Sequence, residues 1–238
     1  MQATRRPRVW ATALALIAGI VLGVASRPAP ATPPPIPLPA SPPSLPAPAP
    51  APADPPAGEL LIASASIQDP RFQHTVILLL RHDEKGAFGI IINRPIAEKS
   101  VASLIADAES SGRDKDAAKG KDKDRGVEGT IRVFAGGPVQ PELGFVVHSQ
   151  DYRAAATLDI DHIAAMTATI DVLRDIGHRH GPQKYFFALG YAGWGAGQLE
   201  NEMARRDWFT TPGDAALIFD DDRNGLWQHA LDRRSREL

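Results

Sequence analysis

The sequence predicts one domain of the α+β class, and three observations carry that prediction. Short runs of apolar and β-branched residues come in close pairs joined by turn residues, without the regular helical spacers of a doubly wound sheet. Helical periodicity is confined to a few short stretches. Of the 22 prolines, 15 lie between Pro28 and Pro56. A stretch so rich in proline cannot pack a core, so the foldable part is nearer roughly 180 residues, a single-domain length.

Residues 60–65, 75–80 and 88–92 are the first three strands, and Asp83-Glu84-Lys85-Gly86 turns the second into the third as a hairpin. Residues 130–134 and 145–148 read as a second strand pair, punctuated by Gly136-Gly137-Pro138. Residues 185–189 and 215–219 are further strands. Ile163, Met166, Ile170 and Leu173 fall at helical spacing, which suits one helix over 161–176. The same run also divides into a strand over 162–168 and a shorter helix N-capped by Thr169, with Gly177 past its end; periodicity leaves both open. Residues 198–206 form a short helix burying Leu199 and Met203, and 226–234 a terminal one.

The first 57 residues have a different character. Arg5, Arg6 and Arg8 precede the uncharged run 9–25, and small residues at Val24-Ala25-Ser26 offer a cleavage site. Residues 1–26 therefore read as a signal peptide or an uncleaved signal anchor, and both send the rest of the chain across the cytoplasmic membrane. The expected location is the inner membrane facing the periplasm, or export; a start other than Met1 would leave the protein cytoplasmic. Residues 27–57 are a Pro/Ala-rich spacer favouring extended polyproline II. The domain proper is 58–238, with 109–128 as a charged, solvated, disordered insertion holding 12 charged residues, six of each sign.

Composition excludes several functions. The chain has no cysteine, hence no disulfide, thiol nucleophile, iron–sulfur cluster or thiolate zinc site. Residues 58–238 carry 22 basic and 27 acidic side chains, a net of −5, the wrong sign for nucleic acid. There is no G-x-S-x-G elbow and no Walker loop. The glycines of 190–197 follow a strand and precede a helix but lack G-x-G-x-x-G spacing, so a tight connection outweighs a phosphate cradle. Asp220, Asp222 and Asn224 match early calcium-loop positions, but Leu231 stands where a bidentate Glu is needed. His178 and His180 lack a third ligand at a supporting spacing. No cofactor and no metal are expected.

Taken together, several motifs resemble the YqgE/AlgH family. They are Gly58-Glu59-Leu60-Leu61-Ile62-Ala63; Asp69-Pro70 with Phe72, Thr75 and Val76; His82-Asp83 through Asn93-Arg94-Pro95; Gly136-Gly137-Pro138-Val139; Gly144-Phe145-Val146-Val147-His148; and Gly190-Tyr191-Ala192-Gly193-Trp194 followed by Gly197-Gln198-Leu199-Glu200 and Glu202. The resemblance implies a bifurcated, mostly antiparallel sheet folded into a pseudo-barrel flanked by short helices, and it favours the divided reading of 161–178. The family has no settled activity and carries a label of transcriptional regulator.

His82, Asn93, Arg94, His148, Trp194 and Glu200 exceed what such a fold requires. With Tyr191 and Gln198 they are the candidates for one shared binding groove. The leading expectation is a non-enzymatic binding or scaffold domain, with an unknown protein or small ligand as partner. A hydrolase-like site around His82, His148 and Glu200 is the second. A DNA-binding regulator, by family label alone, is the third; the acidic domain and the export segment oppose it.

Overall fold

The sheet is assembled on one long strand, β9 (Tyr185–Gly195). The structure, a computed structural model, describes residues 55–110, 124–154 and 156–237. Residues 1–26, most of the 27–57 spacer and the centre of the 109–128 insertion lie outside the described residues.

The C-terminal half of β9 pairs antiparallel with β3 (Gly86–Ile91), placing Ala87 opposite Trp194. Its N-terminal half pairs antiparallel with β6 (Val139–His148) and parallel with β5 (Thr130–Ala135). Thus β3 and β5 share one edge of β9, and the sheet branches where they meet. Gly136 is the junction: its N–H donates to Leu189 at 2.7 Å and its carbonyl accepts from Ile91 at 2.8 Å. A Cβ on Gly137 would sit 2.0 Å from the Tyr191 carbonyl carbon, and one on Gly190 would sit 2.4 Å from the Gly137 oxygen. Only glycine allows this approach, and Gly190 also adopts φ +70°.

Beyond β3 come β2 (Val76–Asp83), β1 (Glu59–Ala63) and β10 (Trp208–Pro212), all antiparallel. Beyond β6 come β8 (Ala164–Thr167) and β7 (Thr157–Ile160), while β4 (Pro95–Ser100) borders β5. The result is a single α+β domain whose curled, mostly antiparallel sheet forms a half-barrel with a few short helices.

Both faces of the sheet are covered. On the inner face Leu60, Ile62, Leu78, Ile90, Phe134 and Phe186 pack beneath α4 (Ala215–Ile218) and α5 (Leu226–Glu237). On the outer face Leu61, Ile77, Leu79 and Ala192 pack beneath α3 (Gln198–Ala204), chiefly through Leu199. At the other end of the sheet, α1 (Val101–Ser110) and α2 (Asp171–Gly177) close on Ile131 and Val146. Double coverage explains why β1 and β2 read as unbroken apolar runs and not as an alternation.

Two irregularities decide which side chains face where. Phe186 and Ala188 point inward, yet so does Tyr191, while Ala192 and Trp194 point outward. The left-handed Gly190 has shifted the alternation by one residue. In β2 the register slips between Leu79 and Arg81. That bulge turns His82, which would otherwise face inward with Leu78 and Leu80, to the side of Ala87 and Trp194.

Several sequence expectations need correction. Residues 215–218 form a helix, not a strand, because the Asp214 carboxylate accepts from the Leu217 N–H at 2.9 Å and caps it. β5 and β6 are not partners, since β9 inserts between them. The 161–178 run divides, as the family resemblance favours, but the N-cap is Ile170 without a side-chain bond, and Gly177 is the last helical residue. β4, α1, β7 and β10 were not foreseen. The glycine-rich 190–197 stretch is mostly strand, with β9 running through Gly195. At the ends of the charged segment, Glu109 and Asp124 both lie on Arg174, at 3.0 and 2.8 Å.

Candidate functional site

The outer face beneath α3 gathers the largest share of the expected site residues. His82, Ala87 and Trp194 are aligned across β2, β3 and β9. Two strand spacings separate His82 from Trp194, about 10 Å. α3 lies over this row. Leu199 is its buried anchor, worth roughly 1.5–3 kcal/mol by burial of the side chain, and Met203 packs beside it.

On one side of the helix, Glu200 meets His82. The imidazole is almost entirely buried (4 % exposed), with Nε2 2.7 Å from Glu200 Oε1. Its Nδ1 lies 2.9 Å from the Pro55 carbonyl oxygen. A carbonyl only accepts, and an ionised carboxylate only accepts. The ring is therefore fully satisfied only as the doubly protonated imidazolium. The Glu200 carboxyl is held below its ordinary range by the N–H of its own backbone and by the bond from His82. Its second oxygen is buried with no hydrogen-bond partner.

On the other side, Glu202 organises two tryptophans. Its Oε2 accepts from Trp194 Nε1 and from Trp208 Nε1, each at 2.8 Å. Its Oε1 accepts from Gln198 Nε2 at 3.0 Å, and Gln198 in turn accepts from the Gly195 N–H at 3.1 Å. The two indoles cross edge to face at 5.8 Å, and Phe72 meets Trp208 the same way at 5.5 Å.

These groups floor a groove of about 720 Å³. Its walls are the 66–72 loop, the start of β6 at Pro138 and Val139, and the α3 edge with Gln198, Glu202 and Arg205. The charges on its rim are paired among themselves: Arg71 with Asp69 at 2.6 Å, Arg205 with Asp207 at 2.9 Å. The guanidinium of Arg71 keeps the Asp69 carboxyl below its usual value. Glu202 thus accepts from three N–H groups, and the guanidinium and amide groups of the rim stand beside the Asp69 and Asp207 carboxylates.

Asn93 and Arg94 do not line the groove but hold its loop. Asn93 accepts from the Val76 N–H at 2.9 Å and donates to the His74 carbonyl at 2.8 Å, and Arg94 donates to the Gln73 carbonyl at 2.9 Å. His74 is left-handed at φ 54°, a turn these bonds maintain. Tyr191 packs inward against Phe88 at 4.8 Å. His148 stands opposite Tyr185, at the far end of β9 from Trp194. Nine residues of extended strand correspond to about 30 Å. The eight expected residues thus divide among four places, and His148 does not join His82 and Glu200. Sequence reading missed Trp208 and the central role of Glu202; an acid two residues beyond Glu200 was the available signal, and nothing in the sequence linked it to an indole on a later strand.

Among the described residues no group of three His, Cys, Asp or Glu side chains is placed to hold a metal ion, and no helix is long and apolar enough to cross a membrane. Asp220 and Asp222 instead accept from the N–H groups of Asp222 and Gly225, as local turn bonds.

A family model described as AlgH-like (DUF179) matches residues 60–238. A UPF0301 protein of Cereibacter sphaeroides is 40% identical over 176 residues, covering 74% of this chain and 89% of its own length. One from Jannaschia sp. is 43% identical over 176 residues, covering 73% and 85%. The solution structure of the AlgH protein from Pseudomonas aeruginosa superposes with a TM-score of 0.60 at 34% identity, over 75% of this chain and 88% of that one. A crystal structure of a Corynebacterium diphtheriae protein, at 20% identity and TM-score 0.57, covers 76% and 87% and shares the fold.

Proposed function

Given that the chain belongs to the AlgH-like family, which has no assigned activity, we propose that it is a non-enzymatic binding domain, carried outside the cytoplasmic membrane on its N-terminal segment. The observation that supports binding is the groove of about 720 Å³, two of whose walls and whose floor are separately anchored: the loop by Asn93 and Arg94, α3 by Leu199 and the Glu200–His82 pair, and the floor by the Glu202–indole bonds. A preformed cavity of this size suits a small ligand or a short peptide. The His82–Glu200 pair supports anchorage over acid–base chemistry, since the ring is buried and both nitrogens are engaged.

The site reading is tested by following the Trp194 and Trp208 indole N–H signals by NMR while small-molecule and peptide libraries are added to the full chain. Ligands of the groove shift these two signals together, and Glu202→Ala abolishes the response. A library that leaves both signals unmoved removes the reading. The compartment is tested with a C-terminal reporter active only outside the cytoplasm: activity is expected, and a silent fusion with cytosolic fractionation overturns that part.

A further inference from the structure

One stretch of β9 has a strand on only one of its edges, and that stretch borders the groove. Successive residues of an extended strand present their N–H and C=O groups to opposite edges. Trp194 presents its carbonyl to β3, since a Cβ on Gly86 would stand 2.1 Å from that oxygen. Gly195 therefore faces away from β3, and its N–H is met there by Gln198 Oε1 at 3.1 Å. Gly193, two residues back, faces the same way. The neighbour on that side is β6, which begins at Val139, opposite Tyr191. The chain before Val139 crosses to the β3 side, where the Gly136 carbonyl accepts from Ile91. Among the described residues no strand flanks Gly193 on its outward edge.

This edge is open to another backbone. Gly193 and Gly195 are exposed and carry no side chain, so an incoming strand meets only main chain. Gly193 lines the groove, with Pro138 and Val139 at one end of it and Gln198 at the other. The charge of the lining has a sign. Asp69, Glu202 and Asp207 stand against Arg71 and Arg205, three carboxylates to two guanidinium groups. Asp69 and Asp207 are matched by those two arginines, whereas Glu202 accepts only from the uncharged N–H groups of Trp194, Trp208 and Gln198. The excess negative charge is thus that of Glu202, and it agrees in sign with the acidic balance of residues 58–238.

We propose that the groove takes an extended segment of a partner protein, bearing lysine or arginine, which adds to the sheet as a strand along Gly193 and Gly195 in line with β6. Its backbone pairs with Gly193 and replaces Gln198 at the Gly195 N–H, while the two indoles keep their bonds to Glu202. Its cationic side chain balances the excess charge. The proposal rests on the groove being a binding site, and specifies what binds there.

The probe is a pool of end-blocked pentapeptides with lysine at every second position, added to the full chain in detergent micelles. A pool with glutamate at those positions is the comparison. The Gly193 and Gly195 amide signals are followed by NMR, together with their hydrogen exchange. The lysine pool is expected to shift both signals and to slow exchange at the Gly193 N–H, and the glutamate pool to bind at least about tenfold more weakly. N-methylation of the tightest peptide, one amide at a time, is expected to abolish binding at alternate positions only, as pairing along one edge requires. Unmoved glycine signals, equal binding of the two pools, or N-methylation effects without a two-residue alternation overturn the proposal. If small-molecule ligands still shift the Trp194 and Trp208 indoles after such a result, the groove stands and only the added strand was wrong; if they do not, both fall.

Discussion

His148 is wholly buried at the end of β6, and its hydrogen bonds define its protonation. The Ala154 N–H donates to Thr157 Oγ1 at 2.8 Å, the Thr157 hydroxyl meets that of Thr167 at 2.8 Å, and Thr167 Oγ1 lies 2.9 Å from His148 Nε2. With Nδ1 donating to the Ser149 carbonyl at 2.9 Å, the chain is complete when Nε2 accepts, which is the neutral ring. Burial accordingly pushes the imidazole below its ordinary value of 6.5. The unfolded chain takes up the proton first as pH falls, so the folded state loses stability below about pH 6.5 and is unaffected by this group above it. Denaturant midpoints measured from neutral to mildly acid pH are expected to show this decline, and His148→Gln to flatten it. Arg223 carries a comparable lesson. Although Asp220, Asp221 and Asp222 precede it, this guanidinium is buried 5.1 Å from the Phe134 ring and 5.3 Å from that of Phe186, and burial lowers its pKa to about 10. Nothing local in Asp220–Gly225 distinguishes a core arginine from a solvated one, since its surroundings come from β5 and β9.

At the scale of elements, the branch of the sheet is the feature most exposed to a single substitution. Gly137→Ala places a methyl 2.0 Å from the Tyr191 backbone and also at φ +156°. Because the obstacle is backbone, relief requires β5 and β9 to separate, and a loss of at least about 3 kcal/mol in chemical denaturation is expected. The glycine pair was legible in the sequence as punctuation between strands, but its steric role was not: it depends on three strands converging. The same division holds for α4. The run Ala215–Ile218 is too short for its period to separate helix from strand. The Asp214 cap decides it, and Arg233 of α5, paired with the same carboxylate, fixes that cap in place.

For the whole molecule, β9 belongs to both halves of the sheet, so neither half retains its hydrogen bonds when the other opens. Unfolding is expected to be one cooperative event. Trp194 and Trp208 report on the outer face, and Trp227, donating to the Ala63 carbonyl at 2.8 Å, on the helix-covered edge. Tryptophan fluorescence and far-ultraviolet circular dichroism should therefore give coincident transitions; separate midpoints would show that the branch divides the domain into independent units.

By itself the sequence determined the α+β class, the hairpin at 83–86, the short helix on Leu199, and the family to which the chain belongs. These depend on turn chemistry, apolar spacing and ordered motifs, all of which are local. Only the tertiary structure decided that His82 and Glu200 pair across 118 positions, that Glu202 gathers two indoles, and that His148 stands apart from them. A bulge in β2 and a left-handed glycine in β9 choose the face on which each side chain emerges. Their effect is a half-period shift that appears only when neighbouring strands are laid beside them.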